Sequence, residues 1–397
     1  MFGPILALMF VWWMLPDIAL TWFVALYAAL LLGIAALHWG IAFGISFSAY
    51  FVSGDRRVRG TSSAHADHLT STRSLTYVIT GKSGFTWKER LRALRSAPSG
   101  TRIKLLLEFL RHSSKRRPVS TAEVCEFAQL TNYEADYLKL AALLGRPGNL
   151  APPGEIDFLH RMMTRPHSAG AISSSDYLFL TAFTSILAPF HVVEVGTLTG
   201  FSAAILAAAL YRRHGAAGSV RVDTIDIQRQ CLIDPTKLTG FELNELIPEL
   251  ARSVSVHTPH DSRMVSKLAR RDELELAFID ADHQHPRPLL DLVRLAPHLR
   301  SNGWVILHDT QLRTESAAIP NAERLQWGNP AGAEWLFAHW PFRKISGGNI
   351  GALQLPKDKS ELVSFALHFL QTPSEVQGES GARARREVLY SLGALLS

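Results

Sequence analysis

Cysteine is scarce in this chain of 397 residues, which has only Cys125 and Cys231. Two thiols make neither a disulfide framework nor a cysteine-ligated metal knot, and free buried thiols fit a reducing compartment. Charge is missing from the front: between Phe2 and Val52 the only formally charged side chain is Asp17, and after it only His38 can acquire one. A basic start is missing too, because Met1-Phe2-Gly3-Pro4 has no Lys or Arg. That excludes an ordinary cleavable signal peptide, for which the apolar stretch is also too long. A membrane-crossing helix needs about 20 apolar residues, and residues 18–36 supply them. Pro16-Asp17 reads as the turn of a helical hairpin, with Trp12, Trp13, Trp22 and Trp39 suited to interfaces. Arg56, Arg57 and Arg59 then follow the positive-inside rule. The expectation is a transmembrane anchor over residues 1–52, of one or two helices, with the membrane as a partner. The chain would sit in a membrane (the inner one in a bacterium) with its catalytic part in the cytoplasm. One buried helix is the plainer alternative.

The formal net charge of +6 comes from basic residues spread along the chain, so no nucleic-acid partner is expected. Residues 53–100 have linker composition, beginning with the polar, Ser/Thr-rich stretch after the anchor. Gly81-Lys82-Ser83 lacks the earlier glycine of a phosphate-binding loop. Residues 101–170 read as a small helical subdomain. Ser120 with Glu123, and Thr131 with Glu134, have capping-box spacing, and the second opens a helix over 133–144 closed by Gly145 and Pro147. The subdomain either buries itself on the following domain or forms its lid.

From residue 171 to 357 buried strands alternate with helices, which predicts an α/β domain: a Rossmann-like, mostly parallel sheet with helices on both faces. Residues 191–195 read as a strand running into Gly196-Thr197-Leu198-Thr199-Gly200, and an Ala-rich helix follows. Strand, glycine turn and helix is a local geometry that presents backbone N–H groups to a ligand. The spacing is not G-x-G-x-x-G, because Leu198 stands where the middle glycine would be, which disfavours a dinucleotide. Three acids then end three strands: Asp226 at the end of 220–227, Asp280 after 274–279, and Asp309 after 303–307. All should project from the carboxyl edge, where open α/β sheets bind ligands. His283 lies three residues past Asp280, and His308 precedes Asp309. Residues 358–397 read as C-terminal helices available for contacts in a homodimer.

With these motifs in place, residues 173–355 resemble the catechol and caffeoyl-CoA type of class I S-adenosylmethionine-dependent O-methyltransferases, and more closely the bacterial macrolide-sugar branch. The string from Val193 to Ser202 looks like the family's first cofactor motif. The resemblance implies that Glu194, Gly196, Thr197, Gly200 and Ser202 bind the cofactor, that Asp226 takes its ribose, and that His260 and Asp261 meet its adenine. It implies that Asp280 and Asp309 bind a divalent cation, Mg or Mn, and that His283 is the general base. One departure stands out. The family places a further oxygen ligand beside the second Asp, where this chain has His308 and Thr310. Imidazole suits Mn, Fe or Zn better than Mg, so His308 becomes a candidate metal ligand. The function expected is methyl transfer from S-adenosylmethionine to a hydroxyl of a small-molecule or lipid-linked acceptor. A metal-independent methyltransferase on the same fold, and a non-catalytic membrane adaptor that binds cofactor, stay open as alternatives.

Overall fold

The computed structural model of the protein describes residues 118–165, 172–215, 220–316 and 330–396. Eight strands form one sheet: β1 (Glu123–Val124), β2 (His191–Val195), β3 (Arg221–Ile225), β4 (Val254–His257), β5 (Leu274–Ile279), β6 (Leu299–His308), β7 (Lys344–Ser346) and β8 (Ile350–Gln354). Their order across the sheet is β1-β7-β8-β6-β5-β2-β3-β4. Every pairing is parallel except those of β8 with β6 and β7. The chain runs outward from β2 to β4 on one side and from β5 to β6 on the other. The crevice beyond the carboxyl ends of β2 and β5 is therefore the switch point at which such sheets bind ligands.

Eight helices of eight residues or more surround it: α1 (Tyr133–Leu143), α2 (Glu155–Met163), α3 (Ser174–Leu187), α4 (Phe201–His214), α5 (Arg287–Leu295), α6 (Gly332–His339), α7 (Ser360–Phe369) and α8 (Gly378–Leu396). Helix α3 is mostly apolar and is buried from Asp176 to Leu187, as a helix between a sheet and a second helical layer must be. It packs on α4 and α1, and all three share one core with Val192, Val222, Leu276, Phe278, Trp304 and Ile306, which alternate along their strands. Helix α5 packs on β5 and carries α8, with Arg294 bonded to Glu387 at 2.6 Å. The mostly parallel sheet with layered helices is as expected.

Two local readings change. Ser120 and Glu123 do not open a helix: Ser120 donates its hydroxyl to the Phe342 carbonyl, and Glu123 enters β1, which pairs with β7 at the far edge of the sheet. The segment from 118 onward is thus continuous with the domain, and Tyr133, Tyr137 and Leu140 of α1 bury against it. The membrane location is corrected. Among the described residues no helix is long and apolar enough to cross a membrane. The anchor over 1–52 and the linker over 53–100 lie outside the described residues.

Candidate active site

Backbone conformation shapes the first wall of the crevice. At the end of β2 the chain turns through Gly196, with φ +103°, and a Cβ there would lie 2.0 Å from the carbonyl oxygen of Asp280. Only glycine permits that approach. Leu198 (φ +47°) and Gly200 (φ +91°) complete the turn, and Gly200 caps α4. One carboxylate oxygen of Asp226 accepts from the amides of Thr197 and Leu198, both at 3.1 Å, and the other accepts from Gln228 at 2.8 Å. The acid expected to take a ribose therefore also sets the shape of the loop beside it.

Behind the loop, Thr197 and Thr224 share a hydroxyl hydrogen bond of 2.6 Å, and Thr224 donates to Glu194. Glu194 is fully buried, and burial pushes its carboxyl up to about 8, with the charges of Asp280 and Asp226 adding to the rise against hydrogen bonds from Ser202 and Thr224. Past β4, His260 and Asp261 close the far end. Burial would raise the Asp261 carboxyl, but Arg263 and Arg294 outweigh it and hold the group below the usual range.

Side chains make the second wall. Asp280 follows β5, and His308 and Asp309 end and follow β6, Asp309 at φ +60°. His283 Nε2 lies 3.0 Å from Asp309 Oδ2 and 3.8 Å from Asp280 Oδ1. One donor atom each from Asp280, His283 and Asp309 falls within 4.8 Å of the others. Two carboxylates and one imidazole in that space fit a divalent cation, of the Mn, Fe or Zn kind more than Mg.

His308 is placed differently. Its Nδ1 is 3.0 Å from Asp280 Oδ1 and 3.4 Å from Asp309 Oδ1, while its Nε2 is 3.2 Å from Asp176 Oδ2. Burial opposes its charge, yet Asp280, Asp309 and Asp176 outweigh burial and hold the imidazole well above its ordinary value. Burial likewise pushes Asp280 up, and His308 and His283 bring it below the usual carboxylate range. The Thr310 hydroxyl donates to the Gly348 carbonyl at 3.0 Å.

Sequence reasoning missed three residues here. Asp176 lies in the first turn of α3. Asn349 sits in the turn before β8 and donates to Asp309 Oδ1 at 2.9 Å. Glu375 accepts from the amides of His285, at 2.8 Å, and Ala331, at 2.9 Å, joining the segment after His283 to the start of α6. The one available signal was for Asp176, an acid inside an apolar helix.

Both walls face one cavity of about 610 Å³. It is lined by Gly196, Thr197, Ser202, Asp226, His260, Asp261, Asp280, His283, His308 and Asp309, while Glu194 and Gly200 stand behind the lining.

Residues 193–310 match a protein family described as a methyltransferase domain. No curated protein matches the sequence. Similar solved structures include the O-methyltransferase from Bacillus cereus in complex with SAH, at 19% identity and TM-score 0.33, covering 57% of this chain and 100% of that one. TomG from Streptomyces achromogenes, an O-methyltransferase involved in tomaymycin synthesis and bound to SAM, has 17% identity and TM-score 0.35, covering 58% and 100%. The SAH-bound methyltransferase PaMTH1 from Podospora anserina has 13% identity and TM-score 0.39, covering 60% and 100%.

Proposed function

We propose that this chain, residues 193–310 of which match a family described as a methyltransferase domain, moves the methyl group of S-adenosylmethionine to a hydroxyl oxygen of a small-molecule acceptor with help from a divalent cation. One observation carries this: the glycine loop and the Asp280–His283–Asp309 group open on the same cavity. Methyl transfer from a sulfonium is an in-line displacement, so donor and acceptor must be held face to face. The loop from Gly196 to Gly200 and Asp226 hold the donor's ribose and amino-acid end, and Glu194 can ionise beneath its positive charge. His260 and Asp261 bound its adenine.

On the opposite wall Asp280 and Asp309 would hold the cation, which when bound would orient the acceptor oxygen and lower its pKa. His283 takes the acceptor's proton at Nε2. A second reading, in which His283 is the third metal ligand, is favoured by the closeness of that nitrogen to both carboxylates. Asn349 holds Asp309 in place from β8.

The test begins with calorimetry of the parent and Asp226→Ala with S-adenosylmethionine. It continues with methyl transfer to a panel of phenols and sugar hydroxyls before and after EDTA, then with Mn²⁺ restored. Loss of transfer with EDTA and its return with Mn²⁺ support the reading. Full activity after metal removal would overturn the metal's part, and a folded protein that binds no S-adenosylmethionine would overturn the whole.

A further inference from the structure

We infer that Asp176 is a positioning residue of this site, acting through His308 to fix the carboxylate of Asp280, an inference that rests on the methyl-transfer reading above. The chain of contacts starts in the first turn of α3. Ser173 caps the helix and donates its hydroxyl to Asp176 Oδ2 at 2.6 Å. Asp176 is 1% exposed and is the one charged residue of α3, a costly place for a carboxylate without a strong partner. Its other oxygen, Oδ1, is buried and meets no hydrogen-bond partner among the described residues.

The strong partner of Asp176 is His308, 132 residues later in the chain, whose Nε2 faces Asp176 Oδ2 at 3.2 Å. The other ring nitrogen faces Asp280 at 3.0 Å. Both ring nitrogens thus lie within hydrogen-bond distance of a carboxylate, which places His308 as a strut between Asp176 and Asp280. It reverses the familiar arrangement in which a carboxylate orients a metal-bound histidine, since here a histidine orients the carboxylate. Removing Asp176 frees one end of the ring, so that Asp280 Oδ1, the oxygen that faces both His308 and His283, loses a fixed partner. Thr310, occupied with the Gly348 carbonyl, does not replace it.

The experiment uses the full chain with Mn²⁺ as the probe, its affinity read by electron paramagnetic resonance. Asp176→Ala and His308→Ala should each weaken Mn²⁺ binding about 10–100-fold, the scale for loss of such outer partners. The double variant should be no worse than either single within about twofold, because both remove one device. Asp176→Asn, which keeps the shape, should fall between Asp176→Ala and the parent. S-adenosylmethionine affinity should not change in any of them, which a general loss of folding would not allow.

If His308→Ala loses Mn²⁺ while Asp176→Ala keeps the parent's affinity, His308 is a ligand in its own right and the inference is overturned. A parent that takes no Mn²⁺ defeats the metal reading and leaves a direct test. Long-range ¹H–¹⁵N correlation spectra should then show a changed His308 Nε2 signal in Asp176→Asn relative to the parent. Spectra that do not respond to Asp176 overturn the strut.

Discussion

On the β2–β3 side the cavity is shaped by backbone, with Gly196, Leu198 and Gly200 at positive φ and Asp226 accepting from the amides between them. On the β5–β6 side it is shaped by side chains from distant segments: Asp176, Asp280, His283, His308, Asp309 and Asn349. The first wall is nearly contiguous in sequence and depends on conformation. The second depends on contacts between residues up to 132 positions apart. The two walls should therefore fail separately when altered, and each of the following variants tests that separation.

The largest effect is expected from His283→Ala. If it is the base, turnover should fall about 10²–10⁴-fold while cofactor affinity is kept. Part of the loss should return at high pH, where the acceptor hydroxyl ionises unaided. A parallel loss of S-adenosylmethionine binding in calorimetry would break the separation of the walls.

Next comes Gly196→Ala, the change that should damage both walls together. Its Cβ would meet the Asp280 carbonyl at 2.0 Å in a backbone conformation that alanine resists. Positive-φ strain and overpacking each cost on the order of 1–3 kcal/mol. Thermal melting should show the loss of stability, and both cofactor and Mn²⁺ binding should weaken. A variant with unchanged melting would mean that the loop and Asp280 can move apart.

Asp226→Ala should be milder and confined to the first wall. Loss of a charged acceptor is worth about 1.5–3 kcal/mol, so cofactor affinity should drop roughly 10–100-fold. Mn²⁺ binding should not change, and a matching drop there would show that the walls are coupled.

The smallest expected effect is on pH dependence. The folded Glu194 carboxyl lies at about 8, above the ordinary value of 4.5. The folded state therefore keeps a proton that the unfolded chain releases, and the contribution is complete below pH 4.5. It is lost as pH rises toward 8. Glu194→Gln should flatten that part of the melting-temperature profile of the cofactor-free protein. Equal slopes in parent and variant would return Glu194 to the ordinary carboxylates.

Legibility from sequence follows the same division. The strand, glycine turn and helix from His191 to His214 were readable because they are local. Asp226, Asp280 and Asp309 were readable because strand ends in a parallel sheet share one edge. Asp176, Asn349 and the sideways engagement of His308 were not, since only tertiary packing brings them together. The Ser120–Glu123 spacing misled for the same reason: pairing with β7 outcompetes a local cap. The apolar composition of the front carried the membrane reading, which the described helices do not support.

Glu375 gives the molecule an order in time. It binds the amide of His285, 90 residues earlier, and thereby secures the segment that follows His283. At roughly 5–20 residues per second of synthesis, about 5–20 s pass between the two residues. During that interval the loop of Gly196 and the acid Asp226 already exist on the nascent chain, while the segment after His283 waits for its clasp. The growing domain thus holds its glycine loop and Asp226 before the segment after His283 is secured. A ribosome-bound chain halted short of Glu375 should take up S-adenosylmethionine sooner than it gains protease resistance around His285.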